Sequence, residues 1–96
     1  MADTRRVVLD VLKPHDPPLL RFTDGIAEAE SVTGATGTLV ELDEDVQNVS
    51  VTVEGKNLDF QAVEAAIEDL GGTVHSVDQV ASGDHVVERR RTPQDR

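Results

Sequence analysis

The chain has 96 residues and carries 19 Asp plus Glu against 9 Lys plus Arg, a net charge of −10. Nucleic-acid binding is therefore not expected, because phosphate contacts need clustered cations. No cysteine occurs, which excludes disulfides, thiolate chemistry and a Cys-based zinc site.

The apolar share is 38%, yet Phe22 and Phe60 are the only aromatics, so the core must be aliphatic. A chain of this size makes one domain with a thin core, for which self-association is a natural supplement. Excess carboxylate with only Lys13 and Lys56 as lysines suits solubility in concentrated salt, where counterions screen self-repulsion. The sequence thus reads as halophilic, the alternative being an ordinary acidic domain. MADTRR leads into a short apolar run without a secretory core, and no stretch is long enough to span a bilayer. Cytoplasm is the expected compartment, with no membrane partner.

Val7, Leu9 and Val11 alternate with Val8, Asp10 and Leu12, a run apolar on nearly both sides that predicts a central first strand. Pro14, Pro17 and Pro18 end it, and Asp16 before Pro17 suits a helix N-cap and first turn. Leu19, Phe22, Ile26 and Ala29 recur at helical spacing, predicting a helix over 17–30. Leu39, Val40 and Leu42 mark a second strand, and Asp43-Glu44-Asp45 a turn. Val49, Val51 and Val53 alternate with Ser50, Thr52 and Glu54 in a third strand. Phe60, Val63, Ile67 and Leu70 make the second helix, capped by Asn57 or Asp59 and stopped by Gly71-Gly72. Val74, Val77 and Val80 mark the fourth strand, and His85 to Glu88 a short fifth edge strand. Residues 1–88 then form the domain, and the arginine-rich residues 89–96 a disordered tail.

Two strand–helix–strand halves joined by right-handed crossovers give an α+β, ferredoxin-like βαββαβ sandwich. Its antiparallel sheet has order 4-1-3-2, with both helices on one face and the other face open.

Several segments, in this order, resemble the archaeal family of proteins called domain of unknown function 211. They are Leu9-Asp10-Val11-Leu12-Lys13-Pro14-His15, Val51-Thr52-Val53-Glu54-Gly55 with Leu58-Asp59-Phe60, and Gly71-Gly72-Thr73-Val74-His75-Ser76-Val77-Asp78-Gln79-Val80. The resemblance covers residues 5–88. It implies a ferredoxin-like fold, a cytoplasmic archaeal protein and ring-shaped homo-oligomers, and it implies no established activity.

Four polar residues stand out as candidates for chemistry: Asp10, His15, His75 and Asp78. A register pairing Val8 with Val77 sets Asp10 opposite His75 on the open face. A carboxylate–imidazole pair there could be structural, supply two ligands to a divalent cation, or act as acid and base. Slipping the register by one residue destroys the pairing. Asp78 then falls on the other side of the strand. His15, between Pro14 and Asp16, is either a solvated loop histidine or an anion contact. The acidic 43–45 turn lacks the ligand spacing of a calcium loop.

No phosphate-binding glycine loop, zinc-protease or nucleophile-elbow motif occurs. Val8, Leu12 and Val77 on the open face, with Val86 and Val87 on the fifth strand, are the expected oligomer interface. The leading reading is a non-enzymatic homo-oligomer that encloses a metal or small ligand between subunits. The alternatives are a ligand-sensing regulatory module and, behind it, an enzyme using the Asp10–His75 pair.

Overall fold

The computed structural model describes residues 2–88. β1 (Thr4–Pro14) leads to α1 (Leu19–Ala27), and β2 (Gly34–Leu42) turns back into β3 (Val46–Glu54). α2 (Phe60–Asp69) and β4 (Thr73–Ser82) follow. The strands form one antiparallel sheet in the order β2-β3-β1-β4, the expected topology. This is the βαββαβ ferredoxin-like arrangement.

The odd-numbered residues of the central strands build the core. Val7, Leu9 and Val11 on β1 lie opposite Val53, Val51 and Val49 on β3. Directly opposed residues share a face, and Phe22 and Ile26 of α1 and Val63 and Ile67 of α2 close over them in one buried cluster. Both helices therefore cover the same side. Full burial of each such side chain stabilises by about 1.5–3 kcal/mol.

The second helix ends as its sequence suggests. The Asp59 carboxylate accepts from the Gln61 and Ala62 amides at 3.1 and 3.3 Å. At the other end Gly71 takes φ +92, its amide donating to Glu68 O and that of Gly72 to Ile67 O. That pattern is a Schellman stop, which a glycine enters without a Cβ penalty.

The first helix is shorter than its periodicity suggests. Pro18, not Asp16, is the N-cap, and no side chain bonds there. At the C-terminal end the amides of Ala29 and Val32 turn back onto Ile26 O and Ala29 O, and Ser31 takes φ 76. The chain is reversed before a further helical turn can form. Ala29 lies in that turn rather than on the helix.

Two further expectations need correction. β2 begins at Gly34, because backbone pairing to Glu54 extends past the apolar residues that marked it. No fifth strand forms within residues 83–88. The Gly83 amide makes the last ladder-like bond, to Asp3 O at 2.8 Å, and φ +117 at Gly83 then turns the chain away. The arginine-rich residues 89–96, expected as a tail, lie outside the described residues.

Glycines 55 and 34 offer a paired test of packing. A Cβ on the buried Gly55 would collide with the Ser31 carbonyl and meet Leu58 Cδ2 at 2.9 Å, whereas one on Gly34 meets nothing. Gly55→Ala should cost about 1–3 kcal/mol, as overpacking against backbone does. Gly34→Ala should change stability by no more than about 0.5 kcal/mol. Urea unfolding of both variants checks this, and equal effects would contradict the close approach at residue 55.

Candidate functional site

The register between β1 and β4 decides which candidates meet. Val8 lies opposite Gln79, Leu9 opposite Val77, Asp10 opposite Ser76 and Val11 opposite Val74. The pairing of Val8 with Val77 is therefore overturned, and so is that of Asp10 with His75. His75 and Asp78 are each the extra residue of a bulge, left over where the register shifts at Asp10/Val11 and at Val8/Leu9. Both are exposed on the edge strand. Val77, opposite the core residue Leu9, belongs to the helix-covered side rather than the open face.

Asp10 does sit on the open face, half-buried, but its partner comes from β3. Asn48 Nδ2 donates to Asp10 Oδ1 at 2.7 Å, and the residue directly opposite on that strand is Ser50. Asp78 Oδ1 accepts from the Ser76 hydroxyl at 2.7 Å. His15 is exposed, with Nε2 donating to the Asp43 carbonyl at 3.1 Å, which ties the β1–α1 loop to the β2–β3 turn. Asp10, His15 and Asp78 thus each meet a different partner, and none of these partners is His75. Among the described residues no group of three or more His, Asp or Glu side chains is arranged to hold a metal ion.

The open face is more polar than the alternation of β1 alone suggested. Val8 and Leu12 are half-buried there, among Asn48, Ser50 and Thr52 of β3 and Thr36 and Thr38 of β2. The bare apolar surface lies instead on the edge strands. Leu39, Val40 and Leu42 on β2 are 45%, 61% and 61% exposed, and Val77 and Val80 on β4 are 48% and 57% exposed.

Two cationic side chains went unremarked as candidates. Lys13 continues the inward row of Val7, Leu9 and Val11 and is only 1% exposed. Its Nζ donates to Pro14 O at 2.7 Å and Gln47 Oε1 at 3.0 Å, and lies 5.4 Å from the centre of the Phe22 ring. Two acceptors and a ring face thus receive the ammonium. Burial lowers its pKa, and the charge of Asp16 raises it by a smaller amount. The odd-residue alternation could have placed Lys13 inward. The second is Arg6, whose guanidinium bridges Glu54 and Glu88. Hydrogen bonds that it donates to Glu88 and then to Glu54 hold it firmly charged, and Arg6 in turn lowers the Glu88 pKa.

Two predictions follow from these contacts. A double-mutant cycle on Asp10 and His75 should give a coupling within about 0.5 kcal/mol of zero, while Asp10 with Asn48 should exceed it. The reverse ranking would restore the rejected register. For Lys13, the unfolded chain binds more protons between the lowered folded pKa and the unfolded value of about 10.4, so stability rises with pH across that window. Relative to Lys13→Met, the wild type should gain stability as pH is raised toward about 10.4. A difference in unfolding free energy that stays flat with pH would show that the ammonium is not desolvated.

Similarity to known proteins places the chain in a family without assigning chemistry to it. Residues 5–96 match the family model of domain of unknown function 211, described as "Uncharacterized ArCR". The chain is 45% identical over 96 residues to "Uncharacterized protein MJ0319" of Methanocaldococcus jannaschii, covering 100% of this chain and 99% of that one. It is also 40% identical over 86 residues to "Putative membrane protein SCO6666" of Streptomyces coelicolor, of which the match spans 11%. Among the described residues of the present chain, no helix is long and apolar enough to cross a membrane. With nearly its whole length matched by the family model, the chain belongs to the archaeal family of domain of unknown function 211.

Proposed function

We propose that this protein is a non-enzymatic, self-assembling module whose copies join through the two edges of the sheet. The observation that carries this reading is the exposed aliphatic surface on both edge strands, Leu39, Val40 and Leu42 on β2 and Val77 and Val80 on β4. Long edges of this kind are templates for strand addition unless something covers them.

Topology supplies the geometry. β1 is antiparallel to both β3 and β4, and β2 is antiparallel to β3, so β2 and β4 run in opposite directions. Two copies standing side by side in the same orientation therefore present antiparallel edges to each other. The apolar segments sit at different heights, Leu39 level with Val11 and Val80 level with Val7. A stagger of about four residues, roughly 13 Å, brings them together. In a closed sheet, strand tilt accommodates such a stagger. A heterologous contact repeated in this way makes a ring where the rotation closes.

His75 and Asp78, exposed on β4, lie at that seam, and a cation or small ligand shared between copies would bind there.

The test uses one lesion on each edge. The wild type should scatter light as a mass several times the monomer's in concentrated NaCl. Val40→Glu and Val80→Glu should each be monomeric alone, and their mixture should form dimers, because each supplies the edge the other lacks. A wild type that is monomeric at every salt and protein concentration would sink the reading. Variants that each dimerise alone would replace it with edge pairing between like strands.

A further inference from the structure

The two free edges of the sheet carry the same interruption. On β2, Leu39 lies opposite Val49 and Glu41 opposite Asn48, so Val40 is the extra residue of a bulge. On β4, Gln79 lies opposite Val8 and Val77 opposite Leu9, so Asp78 is the extra residue there. Each bulge falls between two exposed aliphatic side chains, Leu39 and Leu42 on one edge and Val77 and Val80 on the other. All four are on the helix-covered side. Leu39 and Leu42 lie opposite Val49 and Gln47, which share the inward row with Val11 and Lys13, and Val77 and Val80 lie opposite Leu9 and Val7.

Backbone direction is matched as well. In an antiparallel pair, alternate residues turn their N–H and C=O toward the partner, and the residues between turn them away. The Asp43 amide donates to Val46 O at 2.9 Å across the β2–β3 pair, and the Gly55 amide to Arg5 O at 3.0 Å across the β3–β1 pair. Followed along the observed register, the first bond points Glu41 at β3 and leaves Leu39 and Leu42 pointing away from it. The second points Val7 and Leu9 at β3 and Val8 at β4. Val80 and Val77, opposite Val7 and Leu9, therefore point away from β1. On both edges the free backbone groups belong to the residues that carry the exposed aliphatic side chains.

We infer that β2 of one copy pairs antiparallel with β4 of the next in a single register, Leu39 opposite Val80 and Leu42 opposite Val77. The inference rests on the reading of the two edges as joining surfaces and specifies how they meet. Both aliphatic pairs then exchange backbone hydrogen bonds, and their side chains meet on the helix side. Val40 and Asp78 fall in the same interval, so neither strand has a residue in excess. The other bulge of β4, at His75, falls past Leu42, where β2 has ended and the turn Asp43-Glu44-Asp45 begins. A slip of one residue would set Leu39 and Leu42 against residues of the open face. A slip of three, with Leu39 opposite Val77, matches Val40 to the bulge at His75. It leaves Asp78 in excess within the ladder and sets Val80 opposite Gly37.

Cysteine cross-linking reads this register directly, because the chain has no cysteine of its own. Hydrogen-bonded partners in a ladder have Cα atoms about 5.5 Å apart, within the span of a disulfide. β2 and β4 are separated by β3 and β1, about 14 Å at the usual strand spacing. Any disulfide between them therefore joins two copies. Leu39→Cys with Val80→Cys, and Leu42→Cys with Val77→Cys, are oxidised in concentrated NaCl, and light scattering follows the mass of the wild type and of the reduced variants. Both pairs should form covalent multimers several-fold faster than the slipped pairs, Leu39→Cys with Val77→Cys and Leu42→Cys with Val80→Cys. Assembly in which the slipped pairs link as fast or faster would overturn the register and leave edge joining intact. Assembly without a link in any pair would overturn it too, and the mixture of Val40→Glu with Val80→Glu then decides whether the edges join at all. A wild type that is monomeric throughout would sink the edge reading and the register together.

Discussion

β1 makes hydrogen bonds on both sides, to β3 and to β4, and its inward residues Val7, Leu9 and Val11 are almost wholly buried. Every other element is placed by reference to that strand. β3 matches it residue for residue, so valines at 49, 51 and 53 meet the row without interruption. β4 cannot match it in that way, because its valines recur every third residue. The sheet resolves the conflict by leaving one residue unpaired in each interval. Val74, Val77 and Val80 then stand opposite Val11, Leu9 and Val7. The two bulges are the geometric cost of keeping three apolar side chains on one face.

The same strand explains why the edges stay bare. α1 and α2 have 9 and 10 residues, about 14–15 Å of helix at 1.5 Å per residue. The strands beneath have 9–11 residues, or about 30–36 Å at 3.3 Å per residue. Two short helices cannot cover the full length of four such strands, and they cover the central pair first. Val74 is packed against the core, while Val77 and Val80 on the same strand are left in water. Leu39, Val40 and Leu42 are left bare on the opposite edge in the same way. A thin aliphatic core and two bare edges thus have a single origin in helix length.

Much of this was legible in the sequence, and the failures have physical causes. The 3.6-residue rhythm of Phe60, Val63, Ile67 and Leu70, with Asp59 before it and Gly71 after it, fixed α2 closely. Strict alternation did the same for β1 and β3. For β4 the simple alternation suggests one-to-one pairing with β1, which the strand does not adopt. The Val-x-x-Val-x-x-Val spacing was itself the sign of bulges, and it set His75 and Asp78 apart from Asp10. Lys13 is hard to place from sequence for a different reason. A lysine at the end of a strand reads as solvated, yet its odd number continues the inward row, and only Gln47 and the Pro14 carbonyl make that position tenable. Arg6 with Glu88 was out of reach, since the pair joins residues 82 apart in sequence and no local pattern announces it.

Charge separates the roles of the few cations. Lys13 is withdrawn from water, and its ammonium is satisfied by two oxygens and a ring, so salt cannot screen it and it serves the core. Arg5 and Arg6 lie at the other end of the same strand, within reach of solvent ions, and hold a segment with little apolar burial of its own. In a chain of net charge −10, dissolved ions weaken those exposed attractions and also relieve the repulsion between approaching copies. Added salt thus loosens the hold on that segment and eases the approach of a neighbouring copy. The end of β1 that carries Arg5 and Arg6 is therefore sensitive to ionic strength, whereas the Lys13 end is not.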